Sequence, residues 1–128
     1  MQISGTGSII SSPGYHGSMS GLLKNALDYI EDLRSDARPY LAGRPVGCIV
    51  CAAGWQAVGS TLLTTRTIVH ALRGWPTPFG AGINTLEPGF DAESAFDFQN
   101  PLDQIQLVGR QVVEFIQMKA LAPLEPET

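Results

Sequence analysis

Two short stretches carry the groups that could hold a ligand, Ser12–Gly21 (SPGYHGSMSG) and Ala52–Thr61 (AAGWQAVGST). In the first, glycines, serines and a proline leave backbone N–H groups outside regular pairing, while Tyr15 and His16 supply one flat ring and one hydrogen-bonding ring. The helix expected behind it turns its positive amino end toward the same place, which favours an electron-rich or anionic ligand. The second stretch repeats the plan: Gly54 at a strand end, Trp55 beside it, and a helix start behind. Two such loops side by side suit a planar heterocycle. Each side chain also has a purely structural reading: Tyr15 as packing, His16 as a polar cap instead of a general acid, Trp55 as a cover for the sheet end. No catalytic residue is assigned.

Cys48 and Cys51 have the spacing of a metal or redox pair, but RPVGCIVCAAG is a continuous apolar run. In a strand, positions three apart face opposite ways, so the two thiols cannot chelate together and no metal site is expected. His70 and Arg73 fall in the last turn of a helix, where positive charge complements the dipole.

Around these loops, strand and helix patterns alternate along the chain. Ile3 to Ser12 reads as a strand and Ser20 to Leu33 as a helix capped by Ser20, with Leu23, Leu27 and Ile30 on its apolar face. Val46 to Ala53 is a strand apolar on both faces, as in a doubly covered sheet. Thr61 to Leu72 is helical, and Phe79 to Asn84 is a strand placed near an edge by its flanking prolines and glycines. Thr85 to Gln99 reads as a loop, with Glu87 to Asp97 an acidic, solvated face. Asn100 then caps a helix with Pro101 in its first position. This order predicts an α/β fold: a parallel sheet of three strands with three main helices on both faces, ligands binding beyond the carboxyl ends of the strands. One domain, residues 1–120, and a flexible tail, 121–128, are expected.

The chain has 128 residues, 44% hydrophobic and 16% charged, with a net charge of −4. Scattered Lys and Arg give no electrostatic footprint for nucleic acid, and no apolar run is long enough for a membrane span. Small molecules and other protein chains are the expected partners, and a cytoplasmic location is expected because no signal peptide is visible.

The block SPGYHGSMSGLLKNALDYI, Ser12–Ile30, closely resembles the signature of the NADPH-dependent FMN reductase family, and a weaker likeness runs from Ser8 to Phe115. The resemblance implies a flavodoxin-like fold, FMN as cofactor, and NADPH or NADH as hydride donor to flavin and on to flavin, quinone or similar acceptors. It implies flavin contacts at Pro13, Gly14, Tyr15, His16, Gly17 and Ser18, and at Ala53, Gly54 and Trp55. Lys24 and Asp28, four apart on one helical face, match a family pair expected at an interface, so a homo-oligomer, dimer or tetramer, is expected through the Ser20–Leu33 helix. Two departures stand out. Position 14 is Gly where Glu is commoner, and the family's phosphate-gripping loop, with about 50 to 60 residues in two βα units, has no counterpart ahead of the first strand. SGTGS at residues 4–8 leads into a strand instead of a helix and is not read as a substitute. An N-terminally truncated sheet is therefore expected, with its first strand unpaired and apolar along one edge. A flavodoxin-type electron carrier and a non-catalytic truncated module are the alternative functions.

Overall fold

The computed structural model of the chain describes residues 6–87 and 100–122. Its sheet is built around β3, Pro45–Ala52, whose side chains are almost all buried. On one side β3 pairs in parallel with β1, Ser8–Tyr15, from Ser8↔Val46 to Pro13↔Cys51. On the other it pairs in parallel with β4, Trp75–Pro76, and β5, Ala81–Asn84, the latter from Ile49↔Ala81 to Ala52↔Asn84. The three principal strands and three helices of the sequence reading are therefore present in one flavodoxin-like, mostly parallel sheet. Two additional strands of two residues each accompany them, β2 (Ser18–Met19) and β4.

Helices cover both faces, as the doubly apolar β3 requires. On one side Leu27 of α1 (Gly21–Asp28), Ile30 and Leu33 of the 3₁₀ segment Tyr29–Leu33, and Val69 of α2 (Trp55–Ala71) pack on Val46 and Cys48. On the other, Ile105 and Val108 of α3 (Pro101–Leu121) pack on Ile49, Ala81 and Ile83. Cys48 and Cys51 belong to these two opposite clusters and are both free thiols. Ser20 caps α1 by accepting Leu23 N–H at 3.1 Å, and Asn100 caps α3 by accepting Leu102 N–H at 3.0 Å.

The edges differ from one another. Gln104 and Gln111 of α3 accept the N–H groups of Gly82 and Phe79 at 2.9 and 2.8 Å, so the last strand's polar backbone is covered by a helix. Along Ser8–Pro13, β1 is paired only toward β3 among the described residues, and Ile9 is 49% exposed there.

Several boundaries move. The first strand starts at Ser8 and runs on through Tyr15, and the residues 3–5 of the expected strand lie outside the described ones. The second helix starts at Trp55, six residues before the expected Thr61, and the last strand starts at Ala81 instead of Phe79. Leu121, expected to open the tail, closes α3; residues 123–128, and residues 88–99 of the acidic loop, lie outside the described residues.

Candidate functional site

The stretch read as a loop after the first strand is a β-hairpin. Pro13, Gly14 and Tyr15 continue β1, Ser18 opens β2, and the register pairs Tyr15 with Ser18 and Gly14 with Met19. His16 and Gly17 form the two-residue turn, with φ of 51° and 84°. Two consecutive positive φ values are the mark of a type I′ turn, whose twist matches the strands it joins. The hairpin is anchored by Ser12, only 3% exposed: its hydroxyl donates to Pro13 O at 2.8 Å and accepts Ser20 N–H at 3.1 Å, tying the hairpin base to the start of α1.

The second stretch is a strand-to-helix turn. Gly54 (φ 101°, ψ 146°) precedes α2 and offers no side-chain cap, so the first-turn N–H groups of α2 have no partner from its side chain. Hairpin turn and helix start together enclose a cleft of about 570 Å³. Gly17 lines it from the hairpin, Ala53, Gly54 and Trp55 from the turn, and Gln56, Ala57 and Ser60 from the first turns of α2. Of the nine residues read from the sequence as a binding set, the structure thus brings Gly17, Ala53, Gly54 and Trp55 to one cleft. Pro13, Gly14, Tyr15, His16 and Ser18 belong to the same hairpin but do not line the cleft. Gly14 faces Ala52 and Thr61, and Tyr15 stands 59% exposed beside the turn.

Gln56, Ala57 and Ser60 lie in the stretch singled out from the sequence but not in its expected contact set, because the sequence places the start of α2 at Thr61 and the structure places it at Trp55. The period of its buried residues, Val58, Thr61, Thr65 and Val69, reaches back past Thr61 and was the available signal. Two further residues bond to the cleft wall without lining the cleft, Asn84 at the end of β5 and Glu87 in the turn after it. Asn84 Oδ1 accepts Gly54 N–H at 3.0 Å, and Glu87 Oε1 accepts the Trp55 Nε1–H at 2.9 Å. Their sequence distance from Gly54, about thirty residues, hid them, since only the parallel β3–β5 register joins them.

Other features lie apart. Lys24 and Asp28 form an ion pair at 2.7 Å on the exposed side of α1. His70 lies in the last turn of α2 as expected, but Arg73 (φ 67°) falls beyond the helix's Leu72 cap and lays its guanidinium over the Tyr40 ring at 5.3 Å. A second groove, about 360 Å³, lies between Trp75–Pro78 and α3 at the amino end of β3, opposite to the cleft. Among the described residues no three His, Cys, Asp or Glu converge on a metal position, and no helix is long and apolar enough to cross a membrane.

The chain matches the model of the family described as NADPH-dependent FMN reductase over residues 5–83. FMN-dependent NADPH-azoreductases of Staphylococcus haemolyticus and Staphylococcus aureus are each 41% identical to it over 70 residues, 55% of this chain and 34% of theirs. The chain therefore covers about a third of the length of these curated relatives. Among solved structures, the rubredoxin oxygen:oxidoreductase of Desulfovibrio gigas is similar with a TM-score of 0.64 at 13% identity, covering 91% of this chain and 24% of that one. A Fusobacterium nucleatum flavodoxin bound to flavin mononucleotide gives a TM-score of 0.45 at 14% identity, over 90% and 70% of the two chains. The first of these likenesses bears on the fold.

Proposed function

The chain belongs to the NADPH-dependent FMN reductase family, and on that premise we propose that it is the ring-binding part of a cytoplasmic NAD(P)H-dependent flavin oxidoreductase, with FMN held in the cleft between the hairpin turn and the start of α2. The observation that carries this reading is the meeting of Gly17 with Ala53, Gly54 and Trp55, from two distant stretches, around one space of about 570 Å³. That volume lies in the range of small-molecule sites. A Cβ placed on Gly17 or Gly54 would meet nothing within 4 Å, so both backbones are bare toward open space. A flat ring can approach such backbone more closely than it could approach side chains.

Bound FMN would supply the hydride chemistry, which belongs to the cofactor. This chain's residues hold and orient. The first-turn N–H groups of α2, unpaired among the described residues, give donors for the polar edge of the ring, and the helix's positive end favours electron density arriving there. Trp55, half exposed and tied at its Nε1, stands as a wall against one side of the cleft. Gly17 brings the hairpin turn to the other side, with Tyr15 and His16 at its rim. Acceptors in keeping with the relatives' names include azo compounds, besides free flavin and quinones. The reading includes self-association through α1 and the 3₁₀ segment that follows it, which expose Leu22 (83%) and Tyr29 (58%) respectively.

Titration with FMN and with riboflavin, followed by flavin fluorescence, tests the assignment. Saturable binding of both, lost in Trp55→Ala and in Gly17→Val, is the expected result. A chain that binds neither compound refutes it and leaves a flavodoxin-like scaffold; binding with no oxidation of NADPH or NADH points to an electron carrier instead.

A further inference from the structure

We propose that Asn84 is a positioning residue of the cleft, setting the Gly54–Trp55 wall from the end of β5; the inference deepens the flavin reading above and rests on it. Asn84 ends β5 in register with Ala52. Its Oδ1 accepts two backbone N–H groups, from Gly54 and from Leu86, each at 3.0 Å. Gly54, at φ 101° and ψ 146°, occupies a conformation that side chains rarely adopt, and such a conformation persists only where neighbouring structure over-determines it.

The determinants are visible on both sides of the turn. Val58 N–H donates to Gly54 O at 3.1 Å, and Thr85 N–H donates to Ala52 O at 2.9 Å, which fix the turn to α2 and to the end of β5. The Asn84 carboxamide takes the Gly54 N–H itself. Its second bond, to Leu86 N–H, holds the turn that carries Glu87, whose carboxylate receives the indole N–H of Trp55. One side chain therefore governs both parts of the wall: the Gly54 backbone directly, and the Trp55 ring through the Leu86–Glu87 turn.

A consequence follows for recognition. The Gly54 N–H is committed within the protein, so it is not among the donors a ring edge can use. Those donors are the first-turn N–H groups of Trp55, Gln56 and Ala57, and their direction depends on the turn that Asn84 sets. Asn84 itself need not touch the ligand.

The experiment compares the chain with Asn84→Ala and Asn84→Asp, reading the hydrogen exchange of the Gly54 amide by NMR and the affinity for riboflavin by fluorescence. Asn84→Ala is expected to speed Gly54 exchange and to weaken riboflavin binding, each about tenfold, the scale of one lost hydrogen bond. Asn84→Asp keeps both acceptor bonds and is expected to restore both readouts to near the parent values. Thermal unfolding of each variant separates this from loss of fold, because Asn84→Asp must rescue binding at matched stability. Equal Gly54 exchange in the parent and Asn84→Ala, or equal riboflavin affinity in all three chains, overturns the proposal. If no chain binds riboflavin while Gly54 protection is lost in Asn84→Ala alone, the flavin reading falls and the hold of Asn84 on the turn is upheld.

Discussion

Gly14→Ala tests how closely the hairpin is seated. A Cβ at Gly14 would lie 2.8 Å from Ala52 Cβ and 2.9 Å from Thr61 Oγ1, whereas carbon contacts are most favourable at roughly 3.5–4.0 Å. Neither neighbour can turn aside, since an alanine Cβ is fixed by its backbone and Thr61 is wholly buried and β-branched. The hairpin must therefore lift from α2 by something near 1 Å, an overpacking cost of about 1–3 kcal/mol, out of a total stability of roughly 5–15 kcal/mol. Thr61 is one of the two obstructions, and its Oγ1 has no hydrogen-bond partner among the described residues. Thr61→Ala removes the obstruction and the unpaired hydroxyl together, so in the Gly14→Ala background it should recover about 1 kcal/mol beyond its effect alone. Urea unfolding followed by tryptophan fluorescence gives the four stabilities of the cycle. Gly14→Ala within about 0.5 kcal/mol of the parent, the range of an ordinary surface change, or zero coupling to Thr61, would refute the reasoning.

Burial pushes the Cys48 thiol up from 9.0 to about 11, with a smaller opposing pull from Arg66. The native state then holds a proton that the unfolded chain releases, so this contribution to stability is constant below about pH 9 and falls between about pH 9 and 11, by roughly 2–3 kcal/mol. Stability measured across that window should decline more steeply in the parent than in Cys48→Ala, and parallel curves would contradict the burial argument. For self-association, sedimentation velocity should show Leu22→Glu on α1 shifting the chain toward monomer while Ile9→Lys on the β1 edge does not; the reverse pattern would assign the contact to the open sheet edge. Glu87→Gln keeps an acceptor for the Trp55 indole and should leave riboflavin affinity within about threefold, whereas Glu87→Ala should weaken it by the larger step of one hydrogen bond.

The architecture was legible because its signals are periodic. The apolar run around Val46–Val50 could only be a strand covered on both faces, and Asn100–Pro101 announced the start of α3 through its cap. The local geometry of the site was less so. Gly, Pro and Ser in SPGYHGS read as loop, yet pairing with β3 holds Ser12 and Pro13 in strand and pairing between β1 and β2 holds Gly14, Tyr15 and Ser18, leaving His16 and Gly17 as the turn. The start of α2 was missed because Gly54 and Gly59 flank a stretch without an obvious cap, and helix formation there is settled by the burial of Val58 against the sheet instead of by propensity. Asn84 and Glu87 were invisible for a different reason: nothing in their own neighbourhood marks them, and their partners are supplied by the register of two parallel strands.

The chemistry of the cleft is constrained by what lines it. Gly17, Ala53, Gly54, Trp55, Gln56, Ala57 and Ser60 include no ionisable side chain. The Ser60 hydroxyl lies 3.3 Å from Ala57 O, within its own helix, and has no base beside it among the described contacts. Such a lining can exclude water, present N–H groups and a helix end, and set an aromatic wall. On the flavin reading proposed above, its part would be orientation, which is what hydride transfer to a bound ring asks of a protein. The residues whose loss should matter most are then those that fix direction: Gly17 at the hairpin turn, Gly54 in its glycine-specific conformation, and Asn84, which holds that conformation from the neighbouring strand.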